Sequence, residues 1–121
     1  MSMPSILIVE DEALVRAELS QSFKEAGFSV VGARSGEEAE RLMETHPEIT
    51  GMVTDIDMPG MIDGIWLAWI AYKRDPSIDV IVISGQLKPA EDELPGNASF
   101  QEKPIFAETA VKEMTRMMCA H

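Results

Sequence analysis

The chain has 121 residues, enough for one domain with a real core, and its 45% hydrophobic and 26% charged content is that of a folded globular protein. Acidic residues outnumber basic ones 21 to 10, a formal net charge of −11 that repels phosphate backbones and argues against direct binding to DNA or RNA. The single cysteine, Cys119, has no partner for an internal disulfide, which suits a reducing compartment.

No apolar run approaches the roughly 20 residues of a membrane span, and "MSMPS" has no signal-peptide character. These observations predict a cytoplasmic protein without a membrane partner, residues 1–121 forming one domain with no output domain attached.

In chain order, "ILIV" (6–9) reads as a strand buried on both faces. From Ala13 to Ala26, Val15, Leu19, Phe23 and Ala26 recur at helical spacing, and Gly27 supplies the stop. "FSVVGA" (28–33) is the second strand. Ser35 with Glu38 forms a capping-box pattern opening a helix that Pro47 closes.

"GMVT" (51–54) is a third strand ending at Asp55, and Ile65 to Arg74 is a helix stopped by Pro76. "DVIVIS" (79–84) and the weaker "SFQEK" (99–103) are the last strands, and Ile105 to Cys119 is an amphipathic helix with Val111, Met114 and Met118 on one face. Strands alternating with helices at this spacing predict an α/β fold, a doubly wound five-stranded parallel sheet covered on both faces.

In such sheets function collects at the carboxyl ends of the strands. Those ends carry Glu10, Asp11 and Glu12, then Asp55, then Ser84 and Gly85, then Lys103 and Pro104. Crowded carboxylates raise one another's pKa, and a hard cation bound through oxygen, such as Mg²⁺, relieves the repulsion. With a lysine and a hydroxyl for an anion beside the metal, the set points to phosphoryl transfer onto a carboxylate.

The segments "ILIVEDE", "TDIDMPG", "VIVISG" and "EKP", in this order along nearly the whole chain, resemble the receiver domains of bacterial two-component response regulators. The resemblance implies a flavodoxin-like strand order 2-1-3-4-5. It implies Asp55 as phosphoacceptor, with Glu10, Asp11, Asp55 and the backbone carbonyl of Asp57 holding Mg²⁺, for which Mn²⁺ can substitute. The Asp57 side chain is then left to face the phosphoryl group or solvent.

Ser84, Gly85 and Lys103 would bind phosphoryl oxygens. Ser84 would also be the switch hydroxyl and Phe100 the switch aromatic, and the Lys103–Pro104 peptide would be cis. The implied partners are a sensor histidine kinase or phosphotransfer protein, a downstream protein target of unknown identity, and a second copy in a homodimer. The implied activity is that of a phosphorelay module with self-phosphotransfer and self-dephosphorylation, not an enzyme acting on a separate substrate.

Three other functions compete. A pseudo-receiver would use the fold for binding alone, against the intact Asp11, Asp55, Ser84 and Lys103. An Asp-nucleophile phosphatase would share "DID" but carry it after its first strand. A flavin carrier would need a glycine-rich phosphate loop where this chain has three acids.

Three departures from the family pattern stand out. The loop "MPGMIDG" is one residue longer than usual, the stretch from Ser84 to Lys103 is shorter, and residue 57 is acidic. Within that shorter stretch, Pro89, Pro95 and Gly96 leave room for only a short or irregular fourth helix, anchored by Leu87 and Leu94. Trp66 and Trp69, one turn apart with Lys73, predict an aromatic stripe near the surface. It serves either ordinary packing or a contact with a partner or second copy. His46 and His121 lack partners at ligand spacing and receive no role.

Overall fold

The structure, a computed structural model, describes residues 4–86 and 88–120. The strands are β1 (Ser5–Val9), β2 (Ser29–Ala33), β3 (Ile49–Asp55), β4 (Asp79–Ser84) and β5 (Ala98–Glu102). The helices are α1 (Ala13–Glu25), α2 (Gly36–Thr45), α3 (Gly64–Arg74) and α4 (Ala107–Cys119), with a 3₁₀ turn over Glu91–Glu93. All strands pair in parallel in the order β2-β1-β3-β4-β5, as the family resemblance implies. The order reverses at β1, so a crevice opens beyond the carboxyl ends of β1 and β3.

Alternation along the strands divides the core into two layers. Leu7, Val9, Met52, Val80 and Val82 face α2 and α3, meeting Ala39, Met43, Leu67, Ala68 and Ala71. Ile6, Ile8, Val53, Ile81 and Ile83 face α1 and α4, meeting Leu19, Phe23, Ala110 and Met114. Each Val, Leu, Ile, Met or Phe among them, taken fully out of water, contributes about 1.5–3 kcal/mol before entropy is charged against it. A strand buried on both faces must read as a continuous apolar run, and β1 and β4 do.

Local chemistry sets the boundaries. Gly27 takes φ +101°, and the Phe28 amide returns to the Phe23 carbonyl at 3.0 Å, closing α1 in a Schellman arrangement. Ser35 caps α2 by accepting from the Glu38 amide at 3.2 Å. The reciprocal half of the expected capping box differs, since Glu38 Oε1 accepts from Arg34 N rather than from Ser35 N. β3 begins two residues before the expected start, because Ile49 is buried and pairs with Ser5 ahead of a register shift. Gly64 extends α3 by one residue, capped by Asp63 Oδ1 accepting from the Trp66 amide at 2.8 Å.

Among its described residues, the stretch between β4 and β5 holds only the 3₁₀ turn, as its prolines require. Leu94 packs partly against the core there, while Leu87, the other anticipated anchor, lies outside the described residues, as does His121. The two tryptophans of α3 have different surroundings. Trp66 is 62% exposed, whereas Trp69 meets Tyr72 edge to face and donates from Nε1 to the Glu93 carbonyl at 2.8 Å. His46 is the C-cap of α2, its Nδ1 3.1 Å from the Leu42 carbonyl. Among the described residues, no helix is long and apolar enough to cross a membrane.

Candidate functional site

Glu10 is the first residue beyond β1. Its amide donates to the Ala33 carbonyl at 3.0 Å, and its carbonyl accepts from Arg16 Nη1 at 2.8 Å. This backbone grip turns the Glu10 side chain inward, where it is 4% exposed. Asp55 closes β3 and is 7% exposed. Its neighbour Gly64 has no Cβ because one would run into the Asp55 carbonyl. Asp11 begins the turn into α1 and is exposed.

Glu10, Asp11 and Asp55 each offer a carboxylate oxygen, and the three lie within 4.8 Å of one another. From the other side of the crevice Lys103 Nζ reaches Asp55 Oδ2 at 2.7 Å and Glu10 Oε1 at 3.8 Å. The other Asp55 oxygen, Oδ1, accepts from the Asp57 amide at 3.1 Å. Lys103 precedes Pro104 through a cis peptide, as the resemblance implies. Its stem passes Gly85, where an added Cβ would sit 3.3 Å from Lys103 Cβ.

The electrostatics follow from this crowding. Burial first, then a hydrogen bond with Asp11 and the Asp55 charge, push the Glu10 carboxyl up to about 7, against the Glu12 amide and Lys103. Burial is the largest single influence on Lys103 and acts downward. The hydrogen bond and charge of Asp55, with Glu10 and Asp11, outweigh it and hold the ammonium above the ordinary lysine range. One lysine does not balance three carboxylates, so the donor set fits a hard, oxygen-seeking dication.

Ser84 is buried at the end of β4. Its Oγ accepts from the Gln86 amide at 3.2 Å and donates to Asp57 Oδ2 at 3.3 Å. The Asp57 side chain is therefore engaged with the hydroxyl and not simply free. Phe100 stands apart from the acids. It pairs with Val82 in the sheet, is half-buried, and lines a surface hollow with Leu94, Pro95 and Ala98.

Beside Asp55 a cleft of about 290 Å³ runs between α1 and the β5–α4 connection, with Glu10 and Lys103 at one end and Val15, Leu19 and Ile105 along it. Sequence reasoning missed Arg16, which supports Glu10, and Glu37 of α2, whose Oε1 accepts from the Ile62 amide at 3.0 Å. Arg16 carries no sequence signal for that contact. Glu37 reads only as a first-turn acid favoured by the helix dipole.

A family model described as the response regulator receiver domain matches residues 6–95. A putative response regulator, NtrX-like, of Rickettsia conorii is 32% identical over 120 residues, covering 96% of this chain and 25% of that one. The transcriptional regulatory protein PdtaR of Mycobacterium tuberculosis is 42% identical over 84 residues, 67% of this chain and 40% of that one. This chain thus spans well under half the length of these curated relatives. Among solved structures, a response regulator receiver protein from Sinorhizobium medicae superposes with a TM-score of 0.88 at 26% identity, covering 98% of this chain and 97% of that one.

Proposed function

This chain belongs to the response regulator receiver domain family, and on that premise we propose that Asp55 accepts a phosphoryl group in a cation-dependent phosphorelay step. The observation that carries the reading is the 2.7 Å contact of Lys103 with Asp55, set beside the Glu10–Asp11–Asp55 carboxylates. A buried nucleophilic carboxylate, a cation for the incoming charge and an oxygen-rich metal position are what phosphoryl transfer needs, because that chemistry is chiefly positioning and charge stabilisation.

In the proposed step a carboxylate oxygen of Asp55 attacks the phosphorus of a phosphohistidine. The P–N bond breaks, the imidazole leaves, and an aspartyl phosphate forms. Lys103 moves its ammonium from Asp55 Oδ2 to a phosphoryl oxygen. The Ser84 hydroxyl turns from Asp57 toward another, beside the Gly85 amide. Glu10, Asp11, Asp55 and the Asp57 carbonyl are the residues that would hold Mg²⁺ or Mn²⁺, which neutralises the charge gathered on carboxylate and phosphoryl oxygens.

Redirecting Ser84 and refilling the space near Phe100 then alters the β4–β5 surface for a downstream protein. The donor is a sensor histidine kinase or phosphotransfer protein. Small phosphodonors support self-phosphotransfer, and water reverses the modification.

Intact-mass measurement after incubation with acetyl phosphate and Mg²⁺ tests the proposal. One phosphoryl gain is expected on the wild type and none on Asp55→Asn, whose amide is not a nucleophile. Equal modification of both proteins, or undiminished modification in excess chelator, refutes it.

A further inference from the structure

We propose that Glu37, on a helix that supplies no member of the acid cluster, is a positioning residue for metal binding: it seats the β3–α3 loop that carries Asp57. The inference rests on the receiver reading, in which the Asp57 carbonyl is a metal ligand.

The loop from Asp57 to Asp63 is tied at both ends. The Asp57 amide donates to Asp55 Oδ1 at 3.1 Å, and the Gly64 amide to the Ile56 carbonyl at 3.1 Å. Between these ties lie residues 58–62. Among the described residues, Glu37 is the one side chain from outside the loop that hydrogen-bonds to them, through the Ile62 amide at 3.0 Å. Met58 and Ile62 pack partly against the core, while Met61 is 90% exposed. Apolar contact is non-directional and sets the depth of the loop, whereas a directional hydrogen bond sets its register.

Two glycines make room for that bond. Gly60 takes φ +101°, and a Cβ there would stand 2.5 Å from Glu37 Oε2. Gly36 lies under Ile62, where a Cβ would meet the Ile62 carbonyl at 2.5 Å. Loop and helix are therefore in direct contact at the carboxylate. A loop one residue longer than the family's usual form has an extra pair of backbone torsions to fix. A carboxylate 25 residues away in sequence fixes them.

Isothermal titration of Mg²⁺ into the full chain tests the assignment, with amide hydrogen exchange of the metal-free protein as a second readout. Glu37→Ala is expected to weaken Mg²⁺ binding by roughly ten-fold, the scale typical of residues that orient metal ligands. The Ile62 amide should exchange roughly ten-fold faster without metal, because its acceptor is gone. Glu37→Gln keeps an acceptor oxygen at the same reach without the charge and should stay near wild type in both measurements. Glu37→Asp keeps the charge and the helix-dipole benefit but withdraws the carboxylate by one methylene. It should behave like Glu37→Ala with least disturbance to the fold.

Wild-type affinity in Glu37→Ala and Glu37→Asp overturns the inference. So does a loss in Glu37→Gln as deep as in Glu37→Ala, which would make Glu37 a through-space charge. Either result leaves the receiver reading standing if wild type binds Mg²⁺ and is phosphorylated. A wild type that binds no Mg²⁺ overturns both.

Discussion

β3 and β5 bring the Asp55–Lys103 pair together, and they are built in opposite ways. β3 runs between β1 and β4, and every residue in it except Thr50 is buried. β5 is the sheet edge, and none of its five residues is fully buried. The carboxylate is thus anchored where close packing resists displacement, and the lysine follows an edge strand with more freedom to adjust. β4 spans the two regimes: buried throughout to Ser84, it runs into a connection whose described residues form one 3₁₀ turn and no other helix. A site built this way holds its carboxylate still and leaves its surroundings able to respond.

The largest test of this contrast is Lys103→Ala. Removing a preorganised charge partner should slow phosphorylation by acetyl phosphate roughly 100-fold, measured as initial rates by intact mass. The fold should persist, because the side chain is only partly buried. A rate within a few-fold of wild type would place the chemistry on the rigid side alone.

Core truncation probes the same contrast energetically. Met52→Ala in β3 should cost about 2–5 kcal/mol in urea unfolding. Phe100→Ala in β5 should cost less than about 2 kcal/mol, since its ring is only partly buried, on an edge strand. Equal costs would remove the distinction between the strands.

A smaller effect is expected in hydrogen exchange with Mg²⁺ and beryllofluoride, a phosphoryl mimic. Residues 88–94 should exchange fast in the unmodified protein and more slowly when the mimic is bound, as the segment orders. Strong protection at the outset, unchanged by the mimic, would show that this connection is already as rigid as β3.

The smallest effect is on pH. Glu10 holds its proton to about pH 7 in the fold against an ordinary 4.5. Between those values the native state binds more protons than the unfolded chain, so metal-free stability should fall as pH rises through that window. Melting temperatures in chelator should show this slope, and Glu10→Gln should flatten it. With Mg²⁺ present the trend should weaken or reverse, because metal binding favours the ionised carboxylate. A flat metal-free profile in the wild type would mean that Glu10 is as well solvated as a surface acid.

Much of this was legible in the sequence because the signals are local. "ILIV" and "DVIVIS" read best as strands buried on both faces, and Pro89, Pro95 and Gly96 forbid a long helix between β4 and β5. Glu10, Asp11, Asp55 and Lys103 were found because each sits at a strand end, where a parallel sheet gathers them. The hydrogen bonds made by individual side chains were not legible. Glu38 bonding to Arg34 N, Ser84 to Asp57, Arg16 to the Glu10 carbonyl and Glu37 to Ile62 each depend on side-chain torsions and loop paths that leave no periodic trace. The extra residue after Asp55 could be counted in advance, but the helix that would receive its loop could not.

Trp69 gives the compliant side of the molecule an optical and magnetic handle. Its indole N–H ends on the Glu93 carbonyl, inside the 3₁₀ turn, while Trp66, one turn earlier, stands in water without such a tie. Any rearrangement that displaces the Glu93 carbonyl must either carry Trp69 along or break that bond. In both cases the indole resonance of Trp69 shifts while that of Trp66 serves as an internal standard. With Trp66→Phe, emission excited beyond the absorption of Tyr72 would follow the same event in real time from a single tryptophan, with no label attached to the surface under observation.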